Sequence, residues 1–194
     1  HPAQHYTMGG IRTTHTGEST TLRGLFAAGE AACWDMHGFN RLGGNSVAET
    51  VVAGMIVGEF VADFCISPAG DVDVPTALVR DAVAAERASL DALLASRGTE
   101  SADRLRAEMQ QAMTDGVGIF RDGQGLEAAV ARLQALLVRS RAIGLRCRAD
   151  GPNPELVTAY RVRRMLKVAL AMACGALART ESRGAHYRED FPRR

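Results

Sequence analysis

Residues 37–47 read His-Gly-Phe-Asn-Arg-Leu-Gly-Gly-Asn-Ser-Val, and no other stretch of this chain is as informative about fold and function. Arg41 lies in a turn with glycines on both sides, and glycines let a backbone approach a ligand closely. A planar guanidinium can hold a carboxylate through two parallel hydrogen bonds. An isolated loop arginine is more often a solvated surface charge, but the flanking glycines favour a site for a carboxylate-bearing ligand.

A long apolar segment follows this turn and predicts a helix over residues 47–64. Ser46 at its start and Glu49 three residues later predict a capping box. The free N–H groups and the positive dipole end of such a helix suit a group that carries negative charge. We expect Val51 and Met55 to lie on the buried stripe, and the two helix glycines to allow close packing against a sheet.

Two further blocks precede the turn: His-Tyr-Thr-Met-Gly-Gly at residues 5–10 and Gly-Leu-Phe-Ala-Ala-Gly-Glu at residues 24–30. The apolar run 25–28 between glycines predicts a buried strand. Glu30 follows that run, and an acidic residue near a strand end can accept a hydrogen bond from a ribose hydroxyl. His5 can donate to a substrate carboxylate. Taken alone, a residue like Glu30 is more often an exposed or helix-starting carboxylate, and one like His5 is more often a structural or surface histidine.

Composition excludes several classes of protein. Hydrophobic residues make up 46% and charged residues 23% of the 194 residues, as in a globular chain. The net charge of +1 argues against a nucleic-acid-binding surface. The four cysteines are widely spaced and predict buried reduced thiols rather than disulfides or a zinc site. No metal site or 18-residue apolar run is found, and the start at His1 predicts a fragment boundary.

The chain changes character around residues 66–74, where we place a domain boundary. Glycine-rich motifs come before it, and helical periodicity dominates after it. Four helices are expected there, beginning near Asp73, Ser101, Leu126 and Pro154, the last capped by Asn153. Short links between such helices predict antiparallel neighbours in a bundle.

The three glycine-rich blocks, together with residues 181–192 (Glu-Ser-Arg-Gly-Ala-His-Tyr-Arg-Glu-Asp-Phe-Pro), resemble the flavoprotein subunit of succinate dehydrogenase and fumarate reductase. The resemblance covers nearly the whole chain and implies a C-terminal fragment of that subunit. The implied fold class is α+β. Residues 1–66 would be the terminal piece of an FAD-binding α/β domain, and residues 67–194 an antiparallel helical bundle domain. No chemistry is assigned to the closing block.

The resemblance also implies roles for individual residues. His5 and Arg41 would bind the dicarboxylate substrate, succinate or fumarate. Glu30 would bind the ribose of FAD, and Tyr6 would lie beside the flavin. The full set of implied FAD contacts is His5, Tyr6, Glu30, Arg41, Leu42, Gly43, Gly44, Asn45, Ser46 and Val47. The implied reaction is hydride transfer between flavin N5 and a methylene carbon of succinate, or the reverse.

Parts of the implied enzyme are missing from these residues. No G-x-G-x-x-G pattern follows a strand, and the family's proton-shuttle arginine and covalent flavin histidine would lie upstream. We therefore expect the isolated fragment to bind no FAD and to catalyse nothing. The implied partners are an iron–sulfur subunit and a membrane anchor, with the flavoprotein peripheral on the cytoplasmic side of the membrane and no nucleic acid bound.

Two alternatives remain open at this point. L-Aspartate oxidase shares the histidine and arginine blocks, although that family tends to have Ala-Ser where Gly43 and Gly44 stand here. The helical half could also work alone as an interaction module through its arginine-rich faces, although such faces are usually solvated.

Overall fold

A computed structural model of the chain describes residues 9–38, 40–71, 73–148 and 151–193. The chain divides into two compact units, His1–Val74 and Pro75–Arg194. His5 and Tyr6 lie outside the described residues, so the roles expected of them stay predictions.

The first unit is built around two very short parallel strands and one long helix. Strand β1 (Ile11–Arg12) pairs with β2 (Ala32–Cys33), and a 3₁₀ turn at Gly29–Ala31 leads directly into β2. Helix α1 (Asn45–Ile66) packs on that turn. Gly29 has a φ of +65°, and a Cβ on it would lie 3.0 Å from Oγ1 of Thr50, so a glycine is needed for this close approach.

The predicted strand over residues 25–28 is wrong. Phe26 forms only an isolated bridge with Glu18, and the N–H of Ala27 donates to the carbonyl of Gly17. Glycines in the left-handed region, including Gly17, turn the chain back on itself before a strand can extend. The apolar run between Gly24 and Gly29 therefore forms a single bridge here rather than a strand.

The predicted capping box at the start of α1 is also wrong. The residue at the N-cap is Gly44, with a φ of 82° and no side-chain cap. Because the helix begins at Asn45, two residues earlier than predicted, Ser46 lies inside the first turn. Its hydroxyl and the Glu49 carboxylate bind other partners, described below.

The buried face of α1 differs from the predicted stripe. The buried residues are Glu49, Ala53 and Val57. Val51 and Met55 are 56% and 69% exposed, and a Cβ at Gly54 or Gly58 would meet no described atom within 4 Å. The helix is apolar on nearly every side, so its periodicity could not identify the buried face. Within the described ranges, no helix is both long and apolar enough to cross a membrane.

The second unit is a helical domain, as predicted. Its helices are α2 (Thr76–Ala95), α3 (Ala102–Val117), α4 (Gly123–Arg139) and α5 (Pro154–Ala178), with a 3₁₀ turn at Ser140–Ala142. The last three helices share one core, whose fully buried large side chains include Leu105, Leu126, Leu133, Leu136, Val162 and Leu166. Helix α2 buries only Leu93, while Leu78 is 64% exposed.

Local sequence signals set the helix starts in this unit. Asn153 caps α5 by accepting from the N–H of Leu156, with Pro154 in the first turn, as predicted. Helix α4 begins at Gly123, three residues before the predicted Leu126, and ends at Arg139. After it, Gly144 packs so closely on the backbone of Gly98 that no side chain would fit, which requires an irregular chain path there.

The closing block connects two helices of the second unit. Strand β4 (Tyr187–Arg188) pairs with β3 (Phe120–Arg121), and the Arg188 side chain is almost fully buried. Its guanidinium donates to carbonyl oxygens at the end of α5, and also to both oxygens of Asp190. Asp190 in turn accepts from the N–H of Gly123 at the start of α4. The block thus ties the end of α5 to the start of α4.

All four cysteines are free thiols, but their predicted burial is wrong. Cys33 is half-buried, whereas Cys65, Cys147 and Cys174 are exposed. Among the described residues, no group of three or more His, Cys, Asp or Glu side chains could hold a metal ion.

Candidate functional site

The side chains of Arg41 and Ser46 meet at the carboxylate of Glu30. Nη1 of Arg41 donates to Oε1 of Glu30 over 3.0 Å, and Oγ of Ser46 donates to the same oxygen over 2.6 Å. The Arg41 side chain is only 10% exposed, whereas that of Glu30 is 55% exposed. Residues from two separate sequence blocks, 24–30 and 37–47, therefore form one cluster at the start of α1.

The two carboxylate oxygens of Glu30 differ in their hydrogen bonds. Oε2 accepts no hydrogen bond from any residue that the structure describes. An ionised carboxylate can accept on both oxygens. Glu30 can therefore keep its bonds to Arg41 and Ser46 while Oε2 accepts from a ligand hydroxyl.

The first turn of α1 presents backbone donors on an open surface. The N–H groups of Ser46 and Val47 have no hydrogen-bond acceptor among the described residues. Leu42 and Val47 are 67% and 71% exposed, and a Cβ at Gly43 or Gly44 would meet no described atom within 4 Å. The positive end of a 22-residue helix and two donors thus suit an acceptor that carries negative charge.

A buried carboxylate, Glu49, holds the segment that precedes Arg41 against α1. Its Oε1 accepts from Nε1 of Trp34 over 2.8 Å, and its Oε2 lies 2.6 Å from Nε2 of His37. Glu49 is only 6% exposed. Because Trp34 and His37 come before Arg41 and Glu49 comes after it, these bonds fix both ends of the arginine turn.

The environment of Glu49 keeps it ionised. Burial raises the pKa of this carboxyl. Hydrogen bonds from Trp34 and His37, together with electrostatic attraction to His37 and Arg41, lower the pKa by a larger amount. The net result is a pKa below the usual value for glutamate. Arg41 therefore interacts with two carboxylates, Glu30 by a hydrogen bond and Glu49 through charge.

Sequence reasoning missed the part played by Glu49. The pattern Ser46-x-x-Glu49 matched a capping box, whereas the Glu49 carboxylate binds Trp34 and His37 instead. One signal was present in the sequence. Trp34 is the only tryptophan, and a buried indole N–H usually finds an acceptor. Nothing local, however, identifies that acceptor as a residue 15 positions away.

Two family models match the chain. The model described as "Fumarate reductase flavoprotein C-term" matches residues 106–194, and the model described as "FAD binding domain" matches residues 1–47. The first match lies within the helical unit, and the second ends at the first turn of α1.

Known proteins resemble the chain over its whole length. The fumarate reductase flavoprotein subunit of Helicobacter pylori is 49% identical over 193 residues, which are 100% of this chain and 27% of that protein. The corresponding subunit of Mycobacterium tuberculosis is 40% identical over 195 residues, 100% of this chain and 33% of that protein. A mutated FrdA chain of E. coli quinol fumarate reductase superposes with a TM-score of 0.87 at 35% identity, covering 98% of this chain and 32% of that one.

The chain therefore spans about a third or less of the length of these relatives. Within that span, sequence and fold agree almost from end to end, and the two family models cover the glycine-rich beginning and the helical end. The chain belongs to the family of fumarate reductase flavoprotein subunits, as the counterpart of their C-terminal region.

Proposed function

We propose that this chain works as part of an FAD-dependent flavoprotein subunit that interconverts succinate and fumarate. The observation that carries the proposal is the cluster in which Arg41 and Ser46 bind one oxygen of Glu30 beside the open first turn of α1. Hereafter, "complete subunit" means the whole flavoprotein subunit that contains this chain.

The cluster fits the part of FAD expected here. Oε2 of Glu30, which accepts no bond from a described residue, would accept a hydrogen bond from a ribose hydroxyl. The N–H groups of Ser46 and Val47 would donate to the edge of the isoalloxazine ring that becomes negative on reduction. Bound FAD would supply the hydride acceptor, its N5 atom.

Arg41 is suited to bind one carboxylate of the substrate. A guanidinium has five N–H donors, so the bond to Glu30 is compatible with binding a second carboxylate. The side chain is nearly buried, and its electrostatic interactions are therefore weakly screened by water. In this proposal His5 binds the other carboxylate, and Glu30 and Glu49 hold Arg41 in a fixed orientation.

The proposal extends to the assembly. Similar solved chains come from structures titled quinol-fumarate reductase and Sdh1, which supports membership of a respiratory complex. We infer that the complete subunit binds an iron–sulfur subunit, which a membrane anchor connects to quinone. It would then lie peripherally on the cytoplasmic side of the membrane.

The complete subunit provides the test. We expect the purified protein to show a flavin absorption spectrum and to oxidise succinate with an artificial electron acceptor. Oxidation of L-aspartate with no turnover of succinate would overturn the proposal in favour of the oxidase alternative. Absence of bound flavin in the complete subunit would overturn it altogether.

The isolated chain gives a complementary result. We expect purified residues 1–194 to bind no FAD and to leave succinate unchanged, because no glycine-rich pyrophosphate-binding pattern is present. A yellow preparation with a flavin spectrum would contradict this. The interaction-module alternative predicts instead that the helical unit alone captures the iron–sulfur subunit, whereas we expect capture only by the complete subunit.

A further inference from the structure

A cleft in the second unit has four basic residues among the ten that line it. It has a volume of about 460 Å³ and lies among α2, the end of α4 with the following 3₁₀ turn, and α5. Small-molecule sites in proteins usually measure about 300–1,000 Å³. The cleft thus has room for a small ligand, and its lining determines which chemical class fits.

The charge of the lining exceeds that of the whole chain. The charged residues around the cleft are Arg141, Arg163, Arg164, Lys167 and Glu86. Four basic groups and one acidic group give a net charge of +3, compared with +1 for the 194 residues together. Positive charge concentrated between low-dielectric walls raises the local concentration of anions.

Three of these cations have no counter-charge within the described part of the chain. Glu86 accepts from the hydroxyl of Tyr160 and from the guanidinium of Arg164. The charges of Glu86 and Arg164 therefore neutralise each other. Arg141, Arg163 and Lys167 form no ion pair with any described residue. The lining therefore has one satisfied ion pair and three cations available to a ligand.

Two of these cations are placed where their mutual repulsion destabilises helix α5. Arg163 and Lys167 lie four residues apart on α5, a spacing at which like charges repel on a helix surface. Arg163 is also half-buried, so water screens this repulsion less than at an open surface. A bound anion would offset the repulsion by interacting with both groups.

We propose that this cleft binds a small multivalent anion that carries phosphate or carboxylate groups. Arg163 and Lys167 hold it from α5, and Arg141 holds it from the 3₁₀ turn. The guanidinium groups provide forked donors that match either oxyanion, and the ammonium adds a point charge. The site lies in the helical unit and does not depend on the proposed flavin chemistry.

Calorimetric titration of the complete subunit tests the proposal. The probes are inorganic pyrophosphate and citrate, titrated at constant ionic strength, with sodium chloride as the monovalent comparison. The citrate titration uses the Arg41→Gln background, so that binding at the proposed dicarboxylate site does not contribute. We expect one saturable site for at least one probe, and the probe that binds identifies the preferred anionic group.

Matched double variants locate the site. Arg163→Gln with Lys167→Gln should weaken binding by at least ~10-fold, because two charge-assisted contacts are lost. Arg106→Gln with Arg132→Gln removes the same charge from exposed positions on α3 and α4 and should change the affinity by less than about twofold. Urea unfolding midpoints of both variants show whether each is folded, and we expect the cleft variant to be at least as stable as the parent.

Three results would overturn the proposal. The first is no saturable binding of either probe to the complete subunit. The second is a cleft variant that binds like the parent. The third is a signal that sodium chloride reproduces at equal ionic strength, since that would reflect charge screening alone.

Discussion

Oε2 of Glu49 lies 2.6 Å from Nε2 of His37, and this contact joins helix α1 to the segment that leads into the arginine turn. The carboxylate is 6% exposed and also accepts from the indole of Trp34. A charged acceptor buried in this way stabilises the fold only while its donors remain in place. The position of Arg41 thus depends on a residue that need not touch any ligand.

The first prediction concerns the charge of Glu49. Glu49→Gln in the complete subunit keeps an oxygen for Trp34 but removes the negative charge that His37 and Arg41 interact with. We expect the free energy of unfolding at neutral pH to fall by about 1.5–3 kcal/mol. Urea denaturation measures this. The control Glu59→Gln, at an exposed position of the same helix with no described ion pair, should change stability by less than about 0.5 kcal/mol.

The stability difference between the parent and Glu49→Gln should also depend on pH. The pKa of Glu49 is lower in the folded chain than the ordinary 4.5, so its stabilising effect is fully present above pH 4.5. That effect is lost as the pH falls through the folded-state pKa. The stability difference between parent and Glu49→Gln should therefore shrink below pH 4.5. A difference that stays constant down to pH 3 would contradict this assignment.

The second prediction concerns the shape of the Arg41 side chain. Arg41→Lys in the complete subunit keeps the charge but loses the planar fork. We expect kcat/KM for succinate to fall by about 10- to 100-fold, as for the loss of one charge-assisted hydrogen bond. Steady-state kinetics measure it. Arg80→Lys, at an exposed arginine on α2, serves as the control, and an equal loss in that variant would sink the proposed role.

The third prediction tests Glu30 as a flavin ligand. Glu30→Gln removes the charged acceptor that a ribose hydroxyl would use and weakens the hold on Arg41. We expect the complete subunit of this variant to be purified with a lower ratio of flavin to protein than the parent. Absorbance of the flavin relative to that of the protein measures this ratio for covalent and non-covalent FAD alike. Unchanged retention of FAD, alongside lowered activity, would mean that Glu30 serves Arg41 alone.

The fourth prediction concerns the closing block. Arg188→Lys loses the donors that reach both Asp190 and the carbonyl oxygens at the end of α5. Arg188 is 2% exposed, so we expect the free energy of unfolding to fall by about 2–3 kcal/mol. Arg193→Lys, at an exposed position near the same terminus, is the matched control. Equal urea midpoints for the two variants would rule out the role of Arg188 in tying the helices together.

Asp190 adds a test at acidic pH. The guanidinium of Arg188 and the N–H of Gly123 hold the pKa of Asp190 at about 2, below its ordinary 3.8. Its contribution is thus complete above pH 3.8 and is lost as the pH falls towards 2. Asp190→Asn should remove part of the acid destabilisation seen in the parent over that interval. Identical acid unfolding curves would argue against this ion pair.

Sequence periodicity predicted the helical unit well because its helices have one apolar side. The positions of Leu105, Leu126 and Leu133 follow helical spacing, and all three are fully buried. The start of α5 was predicted for a similar reason, since Asn153 and Pro154 are local signals that act within one turn.

The same reasoning failed where the pattern was ambiguous or the partner was distant. Helix α1 is apolar on nearly every side, so Val51 and Met55 were placed on the wrong face. Glu49 has a local explanation as a cap, whereas its actual partner Trp34 is 15 residues away. The residues of the candidate site were predicted from motifs, but their meeting at one oxygen of Glu30 required the fold.

The outward side of α1 has a practical consequence for handling the polypeptide. Val47, Val51, Val52 and Met55 are each more than half exposed and lie within nine residues of one another. Exposing such apolar surface to water costs a free energy of about 25 cal/mol for every Å². Residues 1–194 should consequently self-associate through these side chains, so that light scattering rises with protein concentration. Met55→Glu should lower that scattering, and because Met55 is exposed it should leave the packing of the core unchanged.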